Sequence, residues 1–583
     1  MRLDQMPRLM RTVRHLRSSQ IWWRTRYFVE RRLPQGLLRT PEDRPDARLI
    51  LRDGFPDVPL FHRQGPTGTD AVDRLSRGEF RHLNRTVNIG MENPDWLHGG
   101  DHAGRLWSVT LHYHGWVFDL AEAAVQGDAR ALPLLKHYLE HWLEHCRLRR
   151  IGPNNLIWNA FAIATRASWW VRALHLLQSH SIALPADFLY RWQQSLIRQA
   201  HFLSRHLEWD LRGNHILRDA VGLAWVGRYF TGRRPDRWLR LATEIAESQA
   251  SEQVLPDGMH FERSPMYHIH VMEDFLSLAS LLPNARTVLH LKEVCMRMAE
   301  TTACLRHRDG SLPLFNDAAQ HAVCEADHML RLVADQTGTS KASTPRGLKH
   351  LEEAGIVAWH GDPWTVFWDI GDVGPGYQPG HAHADTLTLE CSFQGHRLIV
   401  DPGTFSYDRD DRRRYDRSTA AHNTVCIDDT DSSEVWHIFR VGDRARPLAV
   451  DVFPHVNGFS AYAAHTGYSD LPGQPRHGRR LSIAAQRELR IVDQIDGRGT
   501  HRLSGGYLIH PDWTVTPQAN GWRLTRGEIV IDVYIEGRNP LTLSVEKQPW
   551  HPEYGLEIET NRLVWRTEAT SPTDIITIIR PAD

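Results

Sequence analysis

The sequence predicts a multidomain α+β chain, a helical domain followed by an antiparallel β domain, and three observations predict it. From about residue 100 to 340, apolar residues recur at three- and four-residue spacing. Beyond that, short alternating runs rich in β-branched and aromatic residues persist to the C-terminus. Between the two habits lies DQTGTSKASTPRG (335–347), polar and helix-poor, with the composition of a linker. Helices followed by strands, without βα alternation, imply two separately packed parts. A length of 583 residues also exceeds what one ordinary core serves.

The first element is a basic segment, residues 1–45, opening MRLDQMPRLMRTVRHLRSSQIWWRTRYFVERRL and expected to be a surface helix. It lacks the apolar run that a secretory leader requires, so the sequence by itself points to the cytoplasm. No later stretch approaches ~18 consecutive apolar residues, and no membrane-spanning helix is expected. The helical domain, 46–340, is carried by LWSVTLHYHGWVFDLAEAAVQG (106–127), Ala160 to Leu177, DFLYRWQQSLIRQAHFLSRHLEW (187–209) and Ala220 to Phe230. Turns are marked by IGPNN (151–155), TGRRPD (231–236) and LPDG (255–258). A bundle, a solenoid or a toroid would all satisfy this periodicity. The β domain, 341–583, is carried by GIVAWH (355–360), WTVFWDI (364–370), DTLTLECSF (385–393), HRLIVD (396–401), NTVCID (423–428), EIVIDVYIE (528–536) and DIITIIR (574–580).

Charge and cysteine narrow the function. With 69 basic and 70 acidic residues the net charge is −1, which excludes broad nucleic-acid binding and leaves any polyanion to find a local basic cleft. The six cysteines are scattered without a CxxC pair and read as buried thiols, neither a disulfide scaffold nor a cysteine-rich zinc site. The 35 histidines suit metal ligation and proton transfer, and the 21 tryptophans suit both helix packing and stacking on sugar rings.

Three constellations carry chemistry. The densest is GHAHAD (380–385) with VDPGTFSYD (400–408) and STAAHNT (418–424). On an extended strand His381, His383 and Asp385 would share a face. His383, Asp401 and His422 together offer two imidazoles and a carboxylate, a set that suits one divalent ion, zinc first, with manganese or calcium also allowed. A hydrogen-bonded polar patch would use the same residues. The second constellation is RGNHILRDAVGLAWVGRYF (212–230), where Asn214 and His215 open a helix and Asn214 could be no more than its cap. The third is PDGMHFERSPMYHIH (256–270), where Tyr267 stands beside His268 and close to Glu262.

With LWSVTLHYH (106–114), NHILRDAVGL (214–223), DGMHFERSPMYH (257–268), PLFND (313–317) and the run from GHAHAD to HNT (380–424), the chain resembles the heparinase II/III family of polysaccharide lyases. The resemblance covers most of the chain. It implies an N-terminal (α/α) toroid, a C-terminal antiparallel β-sandwich domain and β-elimination of a uronate polysaccharide. It implies Asn214, Tyr267 and His381 as catalytic residues, the first and last neutralising the uronate carboxylate and Tyr267 serving as the catalytic base or acid. It implies His383, Asp401 and His422 as ligands of an organising metal ion. His215, Arg166 and His268 join as substrate-binding expectations, with Arg218 and Arg412 to Arg414 as further cations of a polyanion clamp. One departure stands out: where the family usually has Glu, this chain has Asp219.

The chemistry asks for these residue types. The C5 hydrogen of a uronate is too weakly acidic for a free side chain, so amide and imidazole donors must stabilise the charge that develops on the carboxylate. The acidic polysaccharide expected is heparan sulfate-like glycosaminoglycan, alginate or an exopolysaccharide. Two other readings stand beside the lyase: a metal-dependent glycan hydrolase, and a non-catalytic binding or assembly factor of an exopolysaccharide pathway. Family habit places such lyases in the periplasm or outside the cell.

Overall fold

The computed structural model describes residues 6–30, 51–61, 69–97, 104–147, 156–484 and 487–582. The expected turn at 151–155 and residues 31–45 of the basic segment lie outside them. Two compact units emerge. One comprises Arg17–Glu252 and His270–Cys295; the other comprises Met1–Leu16, Gln253–Ile269 and Met296–Asp583. The division does not follow the composition break near 340. Residues 253–269 and 296–337 lie within the stretch read from sequence as helical, yet they group with the strands.

In the helical unit, alternate helices touch. Ala160–Ser179 packs on Gly115–Val125 and on Asn214–Tyr229, while Ala131–His145 and Ala186–Leu203 back them in a second layer. This two-layer alternation is the (α/α) toroid order, which periodicity alone leaves open. The closest approach is at Gly222, where a Cβ would meet the Ala164 Cα at 2.4 Å. The periodic segment 106–127 holds two helices, Arg105–Leu111 and Gly115–Val125. His114 breaks it in the left-handed conformation (φ 61°), with its Nδ1 accepting from Trp170 Nε1 at 3.0 Å. A buried hydrogen bond outweighs helical periodicity here.

Among the described residues the β-rich unit holds three large antiparallel sheets besides a two-stranded one, Val435–Trp436 with Arg440–Val441. A five-stranded meander runs Gly347–Leu351, Ile356–His360, Trp364–Asp369, Leu389–Phe393 and His396–Ile399. Eight strands form the second sheet, from Pro447–His455 at one edge to Thr514–Gln518 at the other. Thr542–Glu553, Leu556–Thr570, Thr500–Leu508 and Val425–Ile427 form the third. One apolar core joins residues of all three, from Trp364 and Trp368 through Val425 and Trp565 to Ile491 and Ile531, as facing sheets with period-two burial require. All six cysteines are free and buried. No helix among the described residues is long and apolar enough to cross a membrane. In the basic N-terminal segment the described residues form two helices, Met6–Val13 and Ser18–Glu30.

Candidate functional site

In the β-rich unit, the start of the helix Pro265–Leu281 presents Tyr267. Ser264 accepts from the Tyr267 amide at 3.2 Å and Pro265 follows it, so the sequence SPMY writes a capped helix start with Tyr267 in the first turn. The Ser264 hydroxyl also donates to the Asp317 carbonyl at 2.6 Å, which ties this turn to PLFND. Tyr267 and His381 stack with centroids 3.8 Å apart and planes 13° apart. The Nδ1 of His381 is hydrogen-bonded to Glu262, a buried carboxylate.

The Tyr267 hydroxyl lies 2.9 Å from that of Tyr407, which lies 2.7 Å from that of Tyr554. Burial pushes all three phenols above their ordinary value, so their resting form is protonated. Tyr407 is set by a braced loop. Gly403 there has φ 73°, and a Cβ would lie 2.1 Å from the His551 carbonyl oxygen. His551 donates its amide to Pro402 at 2.8 Å, and Asp416 accepts both from the Phe405 amide and from His551 Nδ1. The Arg413 guanidinium lies over Tyr407, 4.9 Å from its centroid.

The GHAHAD segment is not a strand. The residues from Gly380 to Thr388 form turns, with the Thr388 amide donating to the Asp385 carbonyl at 2.8 Å and Leu387 at φ 68°. The shared face expected for His381, His383 and Asp385 is therefore corrected. His381 stacks on Tyr267, whereas His383 and Asp385 converge with His422, one ligand atom of each lying within 4.8 Å of the others. All three are buried, and His383 Nδ1, Asp385 Oδ2 and His422 Nε2 have no hydrogen-bond partner among the described residues. Their other ring nitrogens are fixed: His383 Nε2 by Asp317 at 2.8 Å and His422 Nδ1 by Asp401 at 2.8 Å. Two imidazoles backed by carboxylates and one further orphaned carboxylate oxygen make a donor set that could hold a divalent cation.

The convergent set thus differs from the sequence expectation. Asp385 stands among the orphaned donors, and Asp401 is the carboxylate that orients His422. Charge supports the same reading. Burial, with repulsion from Asp385, pushes the Asp369 carboxyl up to about 8, and burial pushes Asp401 up to about 6. Burial lowers His383 to about 3, which keeps it in the neutral, ligating form.

The helical unit carries the remaining expectations. Asn214 is the first residue of the helix Asn214–Tyr229, whose N-cap is Gly213 without a side-chain cap bond. The capping role is thereby excluded, and the buried Asn214 Oδ1 has no partner among the described residues. His215 Nδ1 pairs with Glu208 at 3.1 Å. Arg218 pairs with Asp274 at 2.8 Å and lies over Phe161. Asp219 accepts from the Glu208 amide at 2.7 Å, and burial raises its carboxyl well above the usual range.

Two substrate-binding expectations are corrected by burial. Arg166 is 0% exposed, its guanidinium donating to Gln199 and to the carbonyls of His112 and Ile157. It is a packing cation, stacked on Trp142. His268 is also 0% exposed; its Nδ1 accepts from the His260 amide and its Nε2 donates to the Met298 carbonyl. Neither offers a surface to a polysaccharide. Of the cations flanking the tyrosine loop, Arg412 pairs with Glu557 at 2.7 Å and Arg413 with Asp317 at 2.8 Å. Asp317 and Tyr407 had no role assigned from sequence, although both lie inside quoted motifs, PLFND and VDPGTFSYD. Their signal was the spacing of the motifs rather than any one residue.

Comparison with known proteins places the fold in a family. Residues 76–336 match the heparinase II/III N-terminus, and residues 343–578 match the heparinase II/III-like C-terminal domain. A heparin-sulfate lyase of Bacteroides thetaiotaomicron is 23% identical over 376 residues, 57% of this chain and 53% of that protein. The chain thus spans about half the length of that lyase. FtsZ-localized protein C of Caulobacter vibrioides is 25% identical over 491 residues, 80% of each protein. The crystal structure of a heparinase III shares the fold, with a TM-score of 0.75 at 17% identity over 89% of this chain and 85% of that one. Matched along both its helical and its β-rich parts, the chain belongs to the heparinase II/III-like family.

Proposed function

We propose that the chain is a polysaccharide lyase that cleaves a uronate-containing polyanion, a glycosaminoglycan of heparan sulfate type first, by β-elimination. One observation carries this reading: a phenol stacked on an imidazole that is itself held by a buried carboxylate. This reading replaces the carboxylate-neutralising role expected of His381: with its Nδ1 donating to Glu262, its Nε2 would act as the acceptor. It takes the C5 proton, the C5–H electrons form the C4–C5 double bond, and the C4–O bond breaks. Tyr267, protonated at rest, donates to the departing oxygen and regains a proton along Tyr407 and Tyr554. For Asn214, in the helical unit, the resemblance alone supports a role as an amide donor to a uronate carboxylate. Water is not consumed.

His383, Asp385 and His422 would hold a divalent ion of zinc type, with Asp401 and Asp317 orienting the imidazoles. When bound, the ion supplies positive charge that offsets the buried carboxylates. The elimination itself is carried by the tyrosine and imidazole groups.

The test is absorbance of the unsaturated uronate when the protein is mixed with heparan sulfate, heparin, chondroitin sulfate, hyaluronan and alginate in turn. Growth of that band on one polymer supports the reading and names the substrate. Silence on all five, with no new reducing ends, favours a second reading: a non-catalytic binding factor. That alternative has its own observation, since a relative matched over 80% of its length is named for a location rather than a reaction. New reducing ends without the band would instead support the hydrolase.

A further inference from the structure

Asp317 belongs to neither cluster and touches both. Its Oδ1 is bonded to His383 Nε2 at 2.8 Å and to the Arg413 guanidinium, and its Oδ2 accepts from Arg413 Nη2 at 2.8 Å. Arg413 in turn lies 4.9 Å from the Tyr407 centroid and 5.6 Å from that of Phe439. The backbone repeats the connection. The Asp317 amide donates to the His381 carbonyl at 2.9 Å, and the Asp317 carbonyl accepts from Ser264, which caps the turn bearing Tyr267. Next to it, Asn316, at φ 59°, accepts from the His383 amide at 3.2 Å and donates to the Arg263 carbonyl at 3.2 Å. Asp317 and His383 are 0% exposed and Arg413 is 2% exposed, so no water competes for these bonds.

We propose that Asp317 is a positioning residue that couples the cation site to the tyrosine cluster: the carboxylate that fixes the metal-facing imidazole of His383 also clamps Arg413 over Tyr407. The physical reason is that one carboxylate cannot serve both partners independently. A cation held at the unpartnered Nδ1 of His383 would fix the ring and strengthen the bond from Nε2–H to Oδ1. The bidentate fork of Arg413 on the same carboxylate then has one geometry instead of several. Binding at one cluster thereby orders the segment that carries Tyr407 and Arg413, which contains no ligand of the cation. The coupling rests on the cation site proposed above and is independent of any lyase activity.

Hydrogen–deuterium exchange of the full chain tests it, first stripped with a chelator and then reloaded with Zn²⁺ alone. Reloading is expected to slow exchange at 381–385 and 420–424, which bear the ligands. It is also expected to slow 405–417, by about fivefold or more. The strands Arg476–Ala484 and Glu488–Asp496 should not respond. In Arg413→Met, Zn²⁺ should still slow 381–385 but no longer 405–417, and in Arg413→Lys the effect on 405–417 should largely return. Asp317→Asn should behave as Arg413→Met with weaker Zn²⁺ binding, and if that variant does not fold the two arginine variants decide. Slowing at 381–385 without slowing at 405–417 in the wild type overturns the coupling. So does uniform slowing of every segment, or an Arg413→Met chain that responds like the wild type. No response anywhere overturns the cation site itself. None of these readouts uses turnover, so a failure of the lyase assignment leaves the result interpretable.

Discussion

The tyrosine cluster and the histidine cluster draw on the same short stretch, 380–424, and differ in how their polar atoms are satisfied. Around Tyr267 the groups are paired with one another: His381 with Glu262, and Tyr267 with Tyr407, which pairs in turn with Tyr554. Tyr267 and Tyr407 are only half-buried, so a substrate could reach them. Around His383 the reverse holds. Every member is buried, and His383, Asp385 and His422 each keep one ligand atom with no partner among the described residues. A mutually paired set with two half-buried phenols suits the proton transfer proposed for it. A sealed set of orphaned donors, costly unless something pairs with it, suits the resident ion proposed for it. Two histidines separated by one residue thus meet unlike surroundings because a turn, not a strand, carries them.

The sharpest way to break this comparison is Tyr267→Phe. Removing the hydroxyl should lower turnover by roughly 10³ or more while polysaccharide binding survives, as loss of a proton-transfer group requires. Initial rates with a binding titration check it, and near-normal rates would remove Tyr267 from the chemistry. Asn214→Ala should cost roughly 10²–10³ in rate if its amide stabilises the developing carboxylate charge. Because Gly213 rather than Asn214 is the N-cap, the variant should keep its melting temperature, whereas a lost cap would cost ~1 kcal/mol. On the histidine side, Asp385→Ala should abolish stoichiometric metal binding. Asp401→Asn should weaken it by roughly 10–100-fold, the effect of removing an orienting carboxylate. Elemental analysis with a chelator titration separates the two, and the reverse order would restore Asp401 as the direct ligand.

Much of this arrangement was legible in the sequence, and the remainder was lost for identifiable reasons. The helix-to-strand order follows from periodicity, because amphipathic helices and half-buried strands each write their own repeat. What periodicity does not record is where a helical stretch docks. Residues 253–269 read as part of the helical domain, yet their partners are strands and PLFND. At the site, His383 and His422 stood out by residue type and spacing. The exchange of Asp385 for Asp401 did not, since it depends on a positive φ at Leu387 and on which His422 nitrogen each carboxylate meets. Arg166 and His268 misled because charge and imidazole suggest a polyanion site, while their surroundings use those same groups to cap buried carbonyls. Asp317 escaped because a lone aspartate in a loop has no signal until the fold brings His383 and Arg413 to it.

The smallest effect sharpens the line between chemistry and packing, and it concerns His268. Burial lowers this imidazole to about 4, against about 6.5 in an unfolded chain. The folded state therefore holds it neutral while the unfolded state takes up a proton. Its contribution to stability is complete above about pH 6.5 and is lost as the pH falls towards 4. His268→Gln removes the paired Nδ1 and Nε2 contacts, which should cost about 1–3 kcal/mol near neutral pH. The variant also lacks the protonation penalty, so its deficit against the wild type should shrink by about 2 kcal/mol between pH 7 and pH 5. Denaturant titrations at the two values measure that narrowing, and turnover per folded molecule should stay unchanged. A constant deficit, or a deficit confined to turnover, would return His268 to the substrate-binding residues and weaken the separation between a buried scaffold and the half-buried cluster around Tyr267.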